Sequence, residues 1–250
     1  MPRSVRFETV GAALAGLLFL PENSAWSGPF PAVIVCHGLG SRKENHSDFA
    51  GFLAKRGFAA LVFDFRGHGQ SSGYLDANTL EDVRCAIAFL KAQREIDAGR
   101  IAVRGSSMGG LFALHAGAEF DSLRAVVAIC PAPEEILRSG LLRAERDISV
   151  LDRPLSFRVN LPDFLEYLER RSVFAAAPQI APRPLMLVHA RGDEVIPYTS
   201  TERLYEAAGE PKSIALLDGG SHTSAQHDPR VHELVTQWLE HTLGSAQASE

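Results

Sequence analysis

From Pro31 onward the chain repeats one pattern, a short apolar run followed by a longer amphipathic stretch. The runs are "PAVIVC" (31–36), "AALVFDF" (59–65), "RIAVRG" (100–105), "AVVAICP" (125–131), "PLMLVHA" (184–190) and "KSIALLD" (212–218). Between and after them lie stretches of helical periodicity. "HSDFAGFLAKRG" spaces Phe49, Phe52 and Leu53 along one face and stops at Gly57; "TLEDVRCAIAFLKAQ", "GGLFALHAGAE", "TERLYEAAG" and "HELVTQWLEHTL" follow. Thr79 with Asp82 three residues on predicts a start close to a capping box. Strands this apolar are buried on both faces. Strands alternating with helices therefore dictate an α/β fold with a mostly parallel sheet, helices on both sides and right-handed crossovers. In such sheets ligands sit beyond the carboxyl ends of the strands, so the loops there are where chemistry is to be sought.

The first thirty residues add a hairpin. "VRFET" alternates as a strand does, Gly11 marks a turn, and "VGAALAGLLFL" (10–20) supplies a second strand. A targeting segment fits less well: Glu8 and Thr9 interrupt the approach from Arg3 and Arg6, Pro21-Glu22-Asn23 is a poor cleavage site, and the run is too short to span a bilayer. That gives eight strands. Of the 250 residues, 46% are hydrophobic and 22% charged, enough for a large core. A net charge of −5 without a Lys/Arg cluster argues against nucleic acid as a partner. No membrane partner is expected, and a homodimer is compatible with everything so far. Cys36, Cys85 and Cys130 are sparse and odd in number, which points to free thiols and a cytoplasmic setting.

Among the strand-end loops one stands out. Gly105-Ser106-Ser107-Met108-Gly109 reads G-x-S-x-G only with Ser107 at its centre; Ser106 would need glycines at Arg104 and Met108. A strand before it and a helix after it make a sharp turn that strains the central residue and lifts its hydroxyl above the sheet. The Met108 N–H then lies at a helix N-terminus, where it suits a developing oxyanion. The bland alternative is a glycine-rich turn with an idle serine. A serine needs a base, and the base an orienting acid. His222, in "LLDGGSH" after the last strand, is the base at the proper edge. Asp193, in "VHARGDEVIP", is the acid; Glu194 is a weaker substitute, and Asp218 reads as a turn residue. The other histidines read as structural or solvated. "CHGLG" offers the second oxyanion donor, Leu39 first and Gly40 second, with His37 as loop structure.

These residues resemble the α/β-hydrolase superfamily. The matches are "CHGLG", "FDFRGHGQSSG", "DAGRIAVRGSSMGG", "RGDEVIP" and "DGGSH", spread over nearly the whole chain. More narrowly the chain resembles the group of serine-aminopeptidase-like, dienelactone-hydrolase-like and feruloyl (cinnamoyl) esterase proteins. The resemblance implies eight strands with the second antiparallel, Ser107, Asp193 and His222 as the triad, and Leu39 and Met108 as the oxyanion residues. It also implies a core of residues 1–131 and 179–250, with a cap at 132–178 inserted after the sixth strand. Serine in place of a cysteine or aspartate nucleophile argues against dienelactone hydrolase, haloalkane dehalogenase and epoxide hydrolase activity. Within "DFRGHGQS", Asp64 and Arg66 are expected to pair and shape a loop. Phe157, Phe164, Tyr167 and Leu168 in the insertion are candidate pocket walls, or else they only join cap to core.

The expectation is a serine hydrolase of small apolar or aromatic carboxylic esters acting through an acyl-enzyme, with no metal and no cofactor. Its partner is a small-molecule ester. A peptidase or amidase, a thioesterase or acyltransferase with the same triad, and a catalytically silent binding protein on this fold are the alternatives.

Overall fold

A computed structural model of the chain describes residues 1–22, 26–151, 156–244 and 246–248. Its centre is an eight-stranded sheet. The strands are β1 (Arg3–Thr9), β2 (Ala12–Phe19), β3 (Phe30–Cys36), β4 (Ala59–Phe63), β5 (Ile96–Ser106), β6 (Ala125–Ile129), β7 (Leu185–Ala190) and β8 (Lys212–Leu217). They lie in the order β1-β2-β4-β3-β5-β6-β7-β8. The N-terminal hairpin turns at Gly11, which has a positive φ. β2 meets β4 antiparallel, and every pairing from β4 to β8 is parallel. The second strand is thus the antiparallel one. Trp26–Ser27 and Gln247–Ala248 form a separate two-residue antiparallel pair.

Among the described residues, seven helices of nine residues or more flank the sheet: α1 (Ser47–Lys55), α2 (Thr79–Lys91), α3 (Met108–Glu119), α4 (Glu134–Leu151), α5 (Leu161–Glu169), α6 (Tyr198–Ala207) and α7 (Pro229–Leu243). Successive strand residues point to opposite faces, and this splits the interior in two. Ile34, Leu61, Val103 and Val126 pack with α2, α3 and α5 residues such as Leu90, Phe112 and Phe164. Their neighbours Val33, Val35, Val62 and Val127 pack with Phe49 and Leu53 of α1 and Val231, Val235 and Leu239 of α7. Both faces are covered, which is why these strands can be apolar throughout. Among the described residues no helix is long and apolar enough to cross a membrane. Cys36, Cys85 and Cys130 are free.

Two local expectations are overturned. Thr79 is the first residue of α2, not its cap. Its hydroxyl donates to the Asp76 carbonyl and accepts from the Asp76 N–H. Asp82 does not reach back to the helix start, because its carboxylate is taken by Arg66. Arg66 in turn does not pair with Asp64. It binds Asp82 at 2.7 Å and Asp76 at 2.8 Å, whereas Asp64 holds Lys43 at 2.7 Å. Between β6 and β7 lie α4, α5 and a short turn of helix at Val173–Ala176. Residues 152–155 of that insertion fall outside the described residues.

Candidate active site

β5 runs into Ser107 and α3 begins at Met108, with no connecting loop. Ser107 therefore turns the chain by itself, at φ 55° and ψ −119°, a region L-residues avoid. The turn closes only because its flanks lack side chains. A Cβ on Gly105 would stand 1.9 Å from the Gly109 carbonyl oxygen, and one on Gly109 would stand 2.2 Å from the Cys36 oxygen. Hydrogen bonds hold the strain in place. The Ser107 N–H donates to Ile129 O at 3.0 Å, and Ser107 O accepts from the N–H groups of Leu111 and Ala132, both at 3.1 Å. Ser106 is fully buried, and its Oγ has no partner among the described residues.

The loop after β3 lies against this turn. A Cβ on Gly38 would fall 3.3 Å from Ser107 Cβ and 3.8 Å from its Oγ. His37 supports the loop from below. Its Nδ1–H donates to Gly38 O at 2.7 Å, and its Nε2 accepts the Phe65 N–H at 3.0 Å. Burial keeps this imidazole neutral by pushing its pKa below the ordinary value. The Gly40 N–H is spent on His68 Nε2 at 3.1 Å. Leu39 N–H makes no hydrogen bond among the described residues, and Met108, first in α3, has no acceptor within its helix. Among the described residues two donors are thus unengaged, one following Ser107 in the chain and one following Gly38, which lies against it. The "DFRGHGQ" loop acts as the floor: Asp64 accepts from the Lys43 N–H at 2.8 Å and from Lys43 Nζ at 2.7 Å, both groups being buried.

The candidate acid and base, Asp193 and His222, lie beyond the strand ends of β7 and β8. His222 Nδ1–H donates to Asp193 Oδ2 at 2.7 Å. Because Nδ1 carries the proton, the Nε2 lone pair is left free to take one. Asp193 Oδ1 accepts from the N–H groups of Val195 (2.8 Å) and Ile196 (2.9 Å). A second imidazole, His189, donates from Nε2 to Ile196 O at 3.0 Å and approaches Asp193 Oδ2 at 3.1 Å; its Nδ1 accepts from the Thr201 hydroxyl at 2.7 Å. Burial opposes the charge on Asp193. The hydrogen bonds from His189, His222, Ile196 and Val195 outweigh it and hold the carboxyl well below the usual carboxylate range. Glu194 Oε2 accepts the His222 N–H at 3.3 Å, so this residue touches the base through its main chain. Asp218 is fully exposed and lies by Arg191. Asp193 and His222 are thus joined. Ser107 and His222 make no hydrogen bond to each other among the described residues.

A profile of the family described as serine aminopeptidase S33 matches residues 27–150. The alpha/beta hydrolase GrgF from Penicillium sp. sh18 superposes with a TM-score of 0.80 at 21% identity, covering 97% of this chain and 99% of that one. The protein is an α/β hydrolase. Its neighbours among solved structures include esterases: the esterase domain of a Rhodothermus marinus protein matches at 27% identity and a TM-score of 0.73, over 98% of this chain and 100% of that one. In sequence, this hydrolase is 28% identical over 226 residues to the uncharacterised protein Rv2307c of Mycobacterium tuberculosis, spanning 90% of this chain and 73% of the relative.

Of the insertion residues, Phe157 reaches the site of the hydrolase. Its ring stacks on His68 (centroids 5.0 Å apart, planes 7° apart) and lies beside Gly40. Phe164, Tyr167 and Leu168 are buried on α5, where Phe164 and Tyr167 lie 6.3 and 6.0 Å from the Phe112 ring of α3. Sequence reasoning did not find His189 or Cys130 as neighbours of the acid. The buried Cys130 thiol, whose pKa is pushed up to about 12 by desolvation, lies beside Asp193. Cys130 Sγ, His189 and Asp193 form a compact group of the kind that can ligate a metal, their ligand atoms lying within 4.8 Å. The donors are already committed, however. Asp193 is shared by two imidazoles and two amides, and a metal there would compete with His222 for Oδ2.

Proposed function

We propose that this α/β hydrolase is a serine carboxylic-ester hydrolase. The observation that carries the proposal is Ser107, held at a positive φ by its glycine frame on the same sheet edge as an imidazole whose Nδ1 is bound by the Asp193 carboxylate. Ser107 Oγ attacks the ester carbonyl while its proton passes to His222 Nε2. The oxyanion accepts from the N–H groups of Leu39 and Met108. As the tetrahedral intermediate collapses, the C–O bond to the alcohol breaks and His222 returns the proton to the leaving oxygen. Water then attacks the acyl-enzyme, with His222 taking its proton and Ser107 leaving as the free hydroxyl. Asp193 keeps the imidazole in the Nδ1–H tautomer and stabilises its charged form. Gly38 lies against the serine, and with Leu39 next to it in the chain and Phe157 beside Gly40 in the same loop, the entrance favours apolar or aromatic groups.

A second reading, peptidase or amidase, draws support from the description of the matching family as serine aminopeptidase. Matched ester and amide substrates sharing one acyl group separate the two. The expected result is a fluorophosphonate adduct on Ser107 and kcat/KM for the p-nitrophenyl ester far above that for the p-nitroanilide. An amide cleaved as fast as its ester promotes the peptidase reading. A wild-type protein that neither labels nor turns over is a silent fold.

A further inference from the structure

Beneath the site, on the face covered by α1 and α7, lies a buried cation that this mechanism does not use. Arg104 stands three residues before Ser107 on β5 and is fully buried. No carboxylate bonds to it among the described residues. Nη1 donates to His46 Nδ1 at 3.3 Å, Nη2 donates to the main-chain carbonyl of Gln226 at 2.9 Å, and Nε has no partner. The guanidinium carbon lies 5.0 Å from the centre of the Phe49 ring. The other ionisable groups around it are Asp48, Cys36, Cys130, His227 and His232. Burial pulls this arginine down to about 10. An apolar side chain of similar length would avoid that cost, so the packing alone does not account for a cation here.

The Gln226 link does account for it. Gln226 Nε2 donates to the main-chain carbonyl of His222 at 3.0 Å. Two hydrogen bonds therefore connect the strand that ends in the nucleophile to the peptide that carries the base. The turn between them is fixed a second time by His227, whose ring stacks on His46 with centroids 5.2 Å apart. Ser107 itself makes no hydrogen bond that would position His222, and Asp193 holds the ring only from the Nδ1 side. We propose that Arg104 is a positioning residue for His222: through Gln226 it sets the distance of Nε2 from Ser107 from underneath. The proposal rests on the esterase reading, in which the Ser107 and His222 side chains react together.

The test is p-nitrophenyl acetate hydrolysis by the full chain, with active sites counted by fluorophosphonate titration. It compares wild type, Arg104→Met, Gln226→Met, the double variant and Arg104→Lys. A base displaced by about 1 Å costs on the order of 100-fold, so each single Met variant is expected to lose about 10- to 100-fold in kcat, with KM within about threefold. The double variant is expected to be no worse than the weaker single, because both break one chain of contacts. Arg104→Lys, which can still donate to Gln226 O, regains part of kcat. Gln226→Met leaves the Arg104 contact in place and carries the test if Arg104→Met does not fold. Folded variants with kcat within twofold of wild type, or losses that multiply in the double variant, overturn the proposal while leaving the esterase reading intact. A wild type that takes up no label overturns both.

Discussion

Ser106 and Ser107 differ by one position and by everything around them. Ser107 turns the chain at a positive φ beside Gly38, whereas Ser106 points into the core with an unpartnered hydroxyl. Ser107→Ala is expected to abolish ester turnover and fluorophosphonate labelling with the fold unchanged by circular dichroism. Ser106→Ala removes a buried hydroxyl that makes no hydrogen bond, so it keeps both activities and loses no stability. Equal loss in both variants would move the nucleophile to Ser106 or away from the pair. Asp193→Asn places an amide where one oxygen now serves two imidazoles. It favours the wrong His222 tautomer, and kcat should fall by about 10⁴, as for the same change in another triad enzyme. Glu194→Gln, which retains an oxygen for the His222 N–H, should stay within a few-fold. A wild-type kcat for Asp193→Asn assigns the orienting role elsewhere.

At the scale of elements, the oxyanion loop depends on the loop after β4. Asp64→Ala strands Lys43 in the interior, with the half-exposed Glu44 and the Gln70 side-chain oxygen as its remaining partners and no buried carboxylate beside it. It should destabilise the protein by at least about 3 kcal/mol in urea titration and lower kcat as the Leu39 loop loses its floor. Unchanged stability and rate would mean that the loop stands without it. This dependence also marks where the sequence stops being readable. Strands buried on both faces announce themselves as apolar runs, so the sheet, the hairpin and the loops at its carboxyl edge could be read directly. Polar partnerships could not. Asp64 and Arg66 look like a pair because they are two residues apart, yet their partners are Lys43 and Asp82, 21 and 16 residues away. The same reach left Asp82 unavailable to cap α2. His189 could be placed at a strand end, but nothing in its spacing says that it shares an oxygen with His222. Phe164, Tyr167 and Leu168 could be read as pocket walls or as contacts joining cap to core, but nothing in the sequence says that Phe164 and Tyr167 meet Phe112.

For the whole molecule, the buried histidines set the response to acid. Desolvation lowers His37, His46, His68, His227 and His232 below their ordinary value, His68 to about 3. A histidine neutral in the folded state and free to charge in the unfolded one contributes stability that is complete above about 6.5 and drains away as the pH falls toward the folded value. Asp193, depressed by its hydrogen bonds, adds a loss in the same direction below about 4. Asp82, raised to about 6 by burial despite Arg66, works the other way between about 6 and 4 and offsets part of it. Thermal denaturation should show a flat Tm from about pH 7 to 8.5 and a steady fall below about 6.5. A Tm unchanged down to pH 4.5 would mean that these imidazoles charge freely inside the fold.

The backbone at Ser107 has one further consequence. A conformation of φ 55° and ψ −119° suits glycine and costs any other residue about 1–3 kcal/mol, a standing loss that neither the core nor the sheet requires. Ser107→Gly and Ser107→Ala both lack the hydroxyl, but only glycine relaxes the turn. At about 2–4 °C per kcal/mol for a chain of this size, the glycine variant should melt a few degrees above the alanine one in a calorimeter. A descendant relieved of the reaction could therefore drift to glycine and become sturdier for it. Selection for folding alone would favour that exchange, so under the proposed esterase function the serine is a position where reactivity is kept against the grain of stability.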